Sequence, residues 1–485
     1  MTNYLEDLIS KGLYEHIDGY EEEMVDEIGK MVAIPSLPDH LTDYGMMHGP
    51  EIVRCLEHTL ELCRKLGFET YQDPKNRFGL AEVGEGEKLL TIFIHLDVVP
   101  VGDGWTREPF VMSKDGDYLY GRGTIDNKGP AISTIYAIKS CCDYGVKWPC
   151  RVRIYFGTNE ELGSTDVQLY IRENGAPDFA WVPDSQFPLS YSELNGTDFE
   201  LRKMYRPENI VSDLKLVSIE HEHHANGIAS WANCVLDAAS EELARETADK
   251  ANTFGKERNM DLTACAEGTC VKISSKGKVA YHWNEPWTGI NATMQLACFL
   301  DTVSLGAEPD ELIHFMVSRV GLETDGKGLG IDVKAETAEL CLGVETMTLD
   351  SFGLAFGVSV LFPAEVRNEI IYNTVFRQTK PLGIDVVAKS MSPGFLLDKN
   401  CSFLQALYRS FCEVTGSNEP IKVCGGTYAK HVPHAVPFGA IFGPEQDICH
   451  TPDEHIRVKT ELMVWTKIYA NALLRVADHF EEMHN

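Results

Sequence analysis

The sequence has few basic residues for its size. Its 43 lysines and arginines stand against 73 aspartates and glutamates, which gives a formal net charge of −30. A surface of this sign repels the phosphate backbone of nucleic acids and the headgroups of anionic lipids. We therefore expect neither a nucleic acid nor a membrane surface as a partner.

Long apolar runs are also missing, since no stretch approaches the roughly 18 residues that a membrane-spanning helix needs. The first residues do not begin a basic stretch followed by an apolar one, the pattern of a secretory signal. The 14 cysteines are scattered and include no Cys-x-x-Cys pair. In this context they are typical of reduced thiols rather than disulfides. We expect a cytoplasmic protein.

The chain has 485 residues, of which 44% are hydrophobic and 24% charged. This composition indicates a folded globular protein, and the length favours two packed units. Short apolar strands alternate with amphipathic helices in the first part of the chain, and the predicted strands cover residues 89–95, 151–156 and 179–182. Such alternation predicts an α/β fold with a mostly parallel sheet that is covered on both faces.

The alternation stops near Glu193 and resumes near Pro393. About 200 residues of different texture lie between these points, a size typical of a separate domain. We predict a catalytic domain made of residues 1–194 and 391–485, with an α+β domain of residues 195–390 inserted into it. A further strand is expected at residues 438–442 and a helix at residues 291–305.

Side chains that could bind metal follow the predicted strands. His95 and Asp97 lie at the end of the first clear strand, where a spacing of two places both on one side. An imidazole there could bind a metal while the carboxylate orients it. A His-x-Asp sequence also occurs by chance in an acidic chain, so this pair alone leaves a purely structural role open.

Further acids and one more histidine occupy similar positions: Asp126 in a glycine-flanked turn, Glu160 and Glu161 after a strand, Asp184 at a strand end and His450 in a late loop. Each of them alone could belong to a solvated loop or a helix cap. Open α/β sheets bind ligands beyond the carboxyl ends of their strands, and the recurrence at such positions on one sheet favours a shared site.

These motifs together resemble the di-zinc family of aminoacylases, carboxypeptidases and dipeptidases, and most of all its cytosolic bacterial dipeptidase branch, which includes carnosinase-like enzymes. The resemblance rests on motifs in family order: His95-Leu-Asp97-Val-Val-Pro, Gly121-Arg-Gly-Thr-Ile-Asp126-Asn-Lys-Gly-Pro, Asn159-Glu160-Glu161, Pro183-Asp184, Gly425-Gly-Thr-Tyr428-Ala and His450-x-x-x-Glu454. It spans nearly the whole chain.

The resemblance implies a role for each matching residue. Asp126 would bridge two zinc ions, with His95 and Asp184 completing one site and Glu161 and His450 the other. Glu160 would act as the general base, and Asp97 would orient His95. Nitrogen and oxygen ligands without cysteine suit zinc and leave positions open for water and substrate, although manganese or cobalt would fit the same ligands. The family also has a cis peptide bond after the bridging aspartate, here Asp126–Asn127.

The inserted domain resembles the family's lid. The segment from Gly277 to Asn291 matches the lid motif whose histidine, here His282, donates a hydrogen bond to the oxyanion. Read without the family, His282 beside two tryptophans is more typical of an aromatic cluster. Substrate-binding positions would be Asn233, Gly426 and Thr427. A lid of this length imitates a partner subunit in the dipeptidase branch, so we predict a monomer.

Three positions depart from the family pattern. Asn127 replaces a second acid after the bridging aspartate, a position that does not ligate metal. Leu361 replaces an arginine that pairs with the terminal carboxylate of the substrate, and Lys430 replaces an arginine after Thr-Tyr-Ala. Lys430 or Arg367 is a candidate for the missing cation.

The favoured function is zinc-dependent hydrolysis of dipeptides. Because residue 361 is leucine and not the family's arginine, a second function stays open. This is a deacylase or amidohydrolase that acts on N-acyl amino acids with the same chemistry. A member without catalysis, used for binding, is a third possibility. The presence of Glu160 and of every expected ligand counts against it.

Overall fold

We describe a computed structural model of the chain, for residues 3–222, 227–281, 286–424, 426–443, 448–478 and 480. The chain forms two compact units, one of residues 1–192 with 397–485 and the other of residues 193–396. The second unit is therefore an insertion in the first. The domain boundary predicted after residue 390 falls inside strand Ile384–Ser392, which pairs with strand Asn195–Met204 of the second unit. In the structure the second unit extends to Leu396.

The first unit is built on a six-stranded sheet. In chain order its strands are β1 (Glu69–Gln72), β2 (Phe78–Val83), β3 (Leu89–His95), β4 (Arg151–Gly157), β5 (Phe179–Val182) and β6 (Ala435–Pro437). The spatial order is β6-β5-β3-β4-β2-β1. Strands β6, β5, β3 and β4 are parallel, while β2 and β1 are antiparallel additions at one edge. This confirms the predicted α/β fold with a mostly parallel sheet.

Strand β3 is apolar along its length and buried from Leu90 to His95, as expected for a central strand with both faces covered. Helices of this unit cover residues Asn3–Ser10, Leu13–Asp18, Glu21–Val32, Pro50–Lys65, Lys128–Asp143, Thr165–Asn174, Ser402–Thr415 and Met463–Asp478. Helix Lys128–Asp143 is buried over most of its length and packs against helix Met463–Asp478. Pro130 lies in its first turn, where no N–H is required.

The strand predicted at residues 438–442 is confirmed only for Ala440–Ile441. The segment that joins the sheet beside β5 is Ala435–Pro437, and Ala440–Ile441 forms a separate short strand. The break lies at Gly439, whose φ of 79° is outside the extended region. A Cβ at Gly439 would lie 2.2 Å from the ring of Phe187, so glycine is required there.

The second unit is α+β. One of its sheets has the order Cys341–Asp350, Gly353–Phe362, Asn195–Met204, Ile384–Ser392, and the other the order Leu214–His221, Trp231–Ala238, Cys270–Lys276, Asp261–Glu267. All pairs in these two sheets are antiparallel. The helices are Glu241–Arg258, Ala292–Leu300, Ala307–Arg319 and Asn368–Thr379. The helix expected at 291–305 thus ends earlier, at Leu300.

The other described strands are short: His40–Leu41, Met47–His48, Ser113–Asp115, Tyr118–Tyr120, Ser185–Gln186, Ser190–Glu193, Gly227–Ile228, Ala280–Tyr281, Phe395–Leu396, Lys422–Cys424 and His455–Arg457. Among the described helices, none combines the length and the hydropathy that a transmembrane segment requires.

Candidate metal centre

Six polar side chains meet at the carboxyl ends of the parallel strands in the first unit. His95 ends β3, Glu160 and Glu161 follow β4, and Asp184 follows β5. Asp126 comes from the turn before helix Lys128–Asp143, and His450 from the loop before strand His455–Arg457. Because neighbouring parallel strands end at one edge of the sheet, the local sequence of each strand brings its polar residue to the same place.

Asp126 lies between the two histidines. Its Oδ1 is 2.9 Å from Nε2 of His95, and its Oδ2 is 3.0 Å from Nε2 of His450. Each carboxylate oxygen therefore faces a different imidazole, which is the arrangement that a carboxylate bridging two metal ions requires.

Two further acids flank this centre. Asp184 Oδ2 lies 3.5 Å from Nε2 of His95, and Glu161 Oε2 lies 3.1 Å from Nε2 of His450. Glu160 offers an oxygen that, with atoms of His95 and Asp184, forms a group within 4.8 Å. The structure thus brings together all five predicted ligands and the predicted general base.

The cluster carries more negative charge than its own histidines can balance. Burial raises the pKa of Glu161 to about 7, and the charge of Asp126 adds to this effect. Burial also raises the pKa of Glu160 well above its ordinary value. For His95 burial alone would lower the pKa, but hydrogen bonds to Asp126 and Asp184 raise it well above the usual range. A bound cation would relieve the mutual repulsion of these carboxylates.

The donor set fits a metal ion. It consists of two imidazoles and four carboxylates, and imidazole and carboxylate are ligands that zinc accepts. Among the described residues, nothing offers a hydrogen bond to the buried Oε1 of Glu161. A buried carboxylate oxygen of this kind is costly unless it binds a cation or a donor.

Asp97 holds the loop that carries both glutamates. Its Oδ1 accepts a hydrogen bond from the backbone N–H of Glu160 at 3.2 Å, and its Oδ2 accepts one from Glu161 at 3.1 Å. Nδ1 of His95 lies 3.0 Å from the backbone oxygen of Asp97 and 3.5 Å from its carboxylate. Asp97 therefore contacts His95, as expected, but its carboxylate oxygens mainly position Glu160 and Glu161, a link that the sequence did not indicate.

Asn127 and Glu454 both contact residues of the metal centre, and no role was predicted for either of them from the sequence. Asn127 Nδ2 donates hydrogen bonds to the backbone oxygen of Pro183 and to Oδ1 of Asp184. The peptide bond between Asp126 and Asn127 is cis, as the family resemblance predicts.

Glu454 is fully buried and pairs with Arg122 over 2.6 Å. Its other carboxylate oxygen accepts hydrogen bonds from the backbone N–H groups of Ile125 and Asp126. Arg122 also donates to the backbone oxygen of His450 at 3.4 Å. This ion pair joins the loops that carry Asp126 and His450. The sequence indicated it only in that Arg122 and Glu454 each belong to a motif shared with the family.

The predicted substrate-binding positions fall in different parts of the chain. Gly426 is exposed, and Thr427 is buried with its Oγ1 accepting a hydrogen bond from the backbone N–H of Ala429. Asn233 lies in the second unit, on strand Trp231–Ala238. The predicted oxyanion residue His282 is outside the described residues. Leu361 is 9% exposed, on strand Gly353–Phe362.

Lys430 folds back toward Gly426. A Cβ built on Gly426 would lie 2.9 Å from Nζ of Lys430. Within the described residues, Lys430 Nζ is in no ion pair or hydrogen bond with a side chain. Beside it, burial and then the charge of Lys430 together lower the pKa of His431 to about 4. This segment therefore presents one positive charge, on Lys430.

Several known proteins resemble the chain over nearly its full length. A provisionally named dipeptidase of Staphylococcus haemolyticus is 27% identical over 465 residues, which cover 95% of this chain and 98% of the relative. A provisionally named dipeptidase of Staphylococcus aureus is 28% identical over 466 residues, with coverage of 95% and 98%.

Solved structures show the same fold. Human carnosine dipeptidase 1 aligns with a TM-score of 0.60 at 16% identity, covering 97% of this chain and 99% of that structure. The dipeptidase Dug1p of Saccharomyces cerevisiae aligns with a TM-score of 0.59 at 14% identity, covering 96% and 98%. At these identities the likeness shows the fold alone.

The family is established by a sequence profile. The profile described as peptidase family M20/M25/M40 matches residues 92–475, which include every residue of the metal centre. The enzyme class predicted from the motifs, a metallopeptidase, is confirmed. The chain therefore belongs to peptidase family M20/M25/M40.

Proposed function

We propose that the protein is a zinc-dependent dipeptidase. The observation that carries this proposal is the position of Asp126 between His95 and His450, with Glu160 at the edge of the same cluster. The names of its relatives, which contain the word dipeptidase, support the substrate class. We further propose that the second unit is the lid that the family resemblance implies.

Two zinc ions per chain are the proposed cofactor. His95, Asp126 and Asp184 would hold one ion, and Asp126, Glu161 and His450 the other. The two short contacts of Asp126 and the unsatisfied Oε1 of Glu161 support this division. Bound zinc would supply Lewis acidity, which acidifies water and polarises a carbonyl group. The same ligands would accept manganese or cobalt, so availability in the cell decides between them.

Glu160 is the proposed general base. It would take a proton from the attacking water and return it to the nitrogen of the leaving amine. Its backbone N–H donates a hydrogen bond to Asp97, which holds the loop that carries the carboxylate beside the cluster. The proposed role of His282 is to donate a hydrogen bond to the oxyanion, and that of Asn233, Gly426 and Thr427 is to bind the substrate. These last roles rest on the family resemblance.

Lys430 is the proposed partner of the substrate's terminal carboxylate. It belongs to the same unit as the metal centre, and among the described residues it is in no ion pair. Arg367, the other candidate, lies in the second unit, at the start of helix Asn368–Thr379. A cation that is free of acidic neighbours remains available for a ligand carboxylate.

A deacylase of N-acyl amino acids is the second candidate function. Leu361 favours it, because a nearly buried apolar side chain stands where family dipeptidases carry the arginine that reads the carboxylate. Without such a cation, the pocket would also accept amide substrates that lack a terminal carboxylate.

The test is to compare turnover of a free dipeptide, its C-terminal amide and an N-acyl amino acid by the zinc-reconstituted protein. We expect the free dipeptide to be cleaved fastest. Equal rates for the dipeptide and its amide would contradict a dipeptidase that reads the carboxylate, and preference for the acyl substrate would establish the deacylase.

We also propose that the active species is a monomer, because the inserted unit is long enough to imitate a partner subunit. Sedimentation at assay concentration should give a particle of 54.1 kDa. An obligate dimer that loses activity on dissociation would contradict this.

A further inference from the structure

We propose that the hydrogen bond between Asp166 and Tyr428 is a positioning link between the general base and the substrate. It joins the general-base loop, residues 158–161, to the substrate segment, residues 426–431. The inference rests on the proposed function, because only that function assigns substrate binding to Gly426 and Thr427.

Asp166 binds the backbone of the general-base loop. Its side chain is fully buried in the first turn of helix Thr165–Asn174. Its Oδ2 accepts hydrogen bonds from the backbone N–H groups of Thr158 at 2.7 Å and Asn159 at 3.2 Å. These two residues directly precede Glu160, so the position of Asp166 determines where the loop leaves β4.

The same oxygen of Asp166 also accepts a hydrogen bond from Oη of Tyr428. Tyr428 is fully buried and directly follows Thr427 in the substrate segment. Its ring lies edge-on to the ring of His95, with the centroids 6.3 Å apart and the planes at 90°. One carboxylate oxygen therefore ties the backbone before Glu160 to the side chain after Thr427.

Gly157 makes room for this link. A Cβ at Gly157 would lie 1.9 Å from Oη of Tyr428 and 2.5 Å from Oδ2 of Asp166. Real Cβ atoms do not come this close to other atoms, so a side chain at residue 157 would displace the hydroxyl group. Strand β4 thus ends on a glycine where the two groups meet.

Tyr155 offers a matched control within the same cluster. It is fully buried, and its ring lies edge-on to that of Tyr428 with the centroids 5.9 Å apart. Burial and then the charge of Asp166 raise the pKa of both tyrosines. The hydroxyl of Tyr155 lies near Asp166, whose side chain helps to raise its pKa, but among the described residues no group is placed at the distance and angle of a full hydrogen bond to it.

The experiment compares Tyr428→Phe with Tyr155→Phe and the unmodified zinc-reconstituted protein, with a free dipeptide as substrate. In Tyr428→Phe we expect KM to rise about tenfold, because a hydrogen bond to a charged group is lost. The backbone bonds to Asp166 remain, so Glu160 stays in place and kcat should change by less than about twofold. Zinc content should not change. Tyr155→Phe should leave KM, kcat and zinc content as they are.

Hydrogen exchange measures the position of the substrate segment without any substrate. The N–H groups of Ala429 and Lys430 are bonded within this segment, to Oγ1 and the backbone oxygen of Thr427. We expect both to exchange faster in Tyr428→Phe and to be unchanged in Tyr155→Phe. Equal KM values in the two variants, or unchanged exchange in Tyr428→Phe, would overturn the proposed link.

A merely structural role for Tyr428 would give a different result, in which zinc content, melting temperature and kcat fall together. That result would also overturn the link. If the unmodified protein cleaves no dipeptide, the proposed function fails, while the exchange measurement still decides whether Tyr428 positions the segment.

Discussion

Nδ2 of Asn127 lies 3.1 Å from Oδ1 of Asp184 and donates a hydrogen bond to it. The other oxygen of Asp184 faces Nε2 of His95. The amide therefore orients this carboxylate without adding charge to a cluster that is already rich in acids. The departure of Asn127 from the family pattern thus has a structural consequence at the metal centre.

We predict that Asn127→Leu weakens zinc binding. Leucine has nearly the size of asparagine but cannot donate a hydrogen bond to Asp184. Loss of a partner that orients a metal ligand typically lowers metal affinity by about 10- to 100-fold. Competition with a chromophoric chelator measures the affinity. Asn174→Leu, the same change at the end of helix Thr165–Asn174, is the control and should bind zinc normally.

The second prediction concerns the buried pair of Arg122 and Glu454. Glu454→Gln leaves the guanidinium of Arg122 buried without its partner, and breaking such a pair costs about 3–5 kcal/mol. Denaturant unfolding should show this loss. In the control pair, Arg64 and Glu61, both side chains are exposed, so Glu61→Gln should cost less than about 1 kcal/mol. Equal losses for the two variants would contradict the role given to the buried pair.

Chelation should lower the thermal stability of the holoenzyme. Removing a ligand present at about a thousand times its Kd takes away about 4 kcal/mol of stabilisation. The carboxylates around Asp126 would then repel each other without compensation. Melting curves with and without chelator, followed by zinc addition, measure the effect. The melting temperature of His95→Ala should shift much less on chelation. If the chelator does not change the melting temperature of the unmodified protein, the proposed metal centre is wrong.

Lys430→Met should raise KM for a free dipeptide by about tenfold, which corresponds to one charge-assisted hydrogen bond. The KM for the C-terminal amide of the same peptide should not change, because the amide carries no carboxylate. Steady-state kinetics on both substrates measure the difference. Arg367→Met is the comparison, and an effect confined to that variant would transfer the role from Lys430 to Arg367.

The sequence predicted the cluster at the carboxyl edge of the sheet because each of its residues belongs to a short local motif. His95 ends a strand, Glu161 and Asp184 follow strands and Asp126 precedes a helix, and parallel strands end at a common edge. His450 lies in the loop before strand His455–Arg457. The alternation of apolar strands with amphipathic helices in the sequence in turn predicted that the strands are parallel.

Contacts between distant parts of the chain could not be predicted in this way. Asp166 and Tyr428 are 262 residues apart, and Arg122 and Glu454 are 332 apart. No local periodicity indicates which buried polar groups pair over such distances. The strand expected at residues 438–442 is shorter in the structure for a related reason, since the close approach of Phe187 to Gly439 depends on tertiary packing.

The most direct test of the account is the rate of dipeptide hydrolysis by the Glu160→Gln variant, measured by mass spectrometry beside the zinc-reconstituted protein. The amide keeps the size of the side chain but cannot accept the proton of the attacking water. We expect kcat to fall by about 10²- to 10⁴-fold while zinc content and melting temperature stay unchanged. Dipeptide cleavage by Glu160→Gln at the rate of the unmodified protein would contradict it.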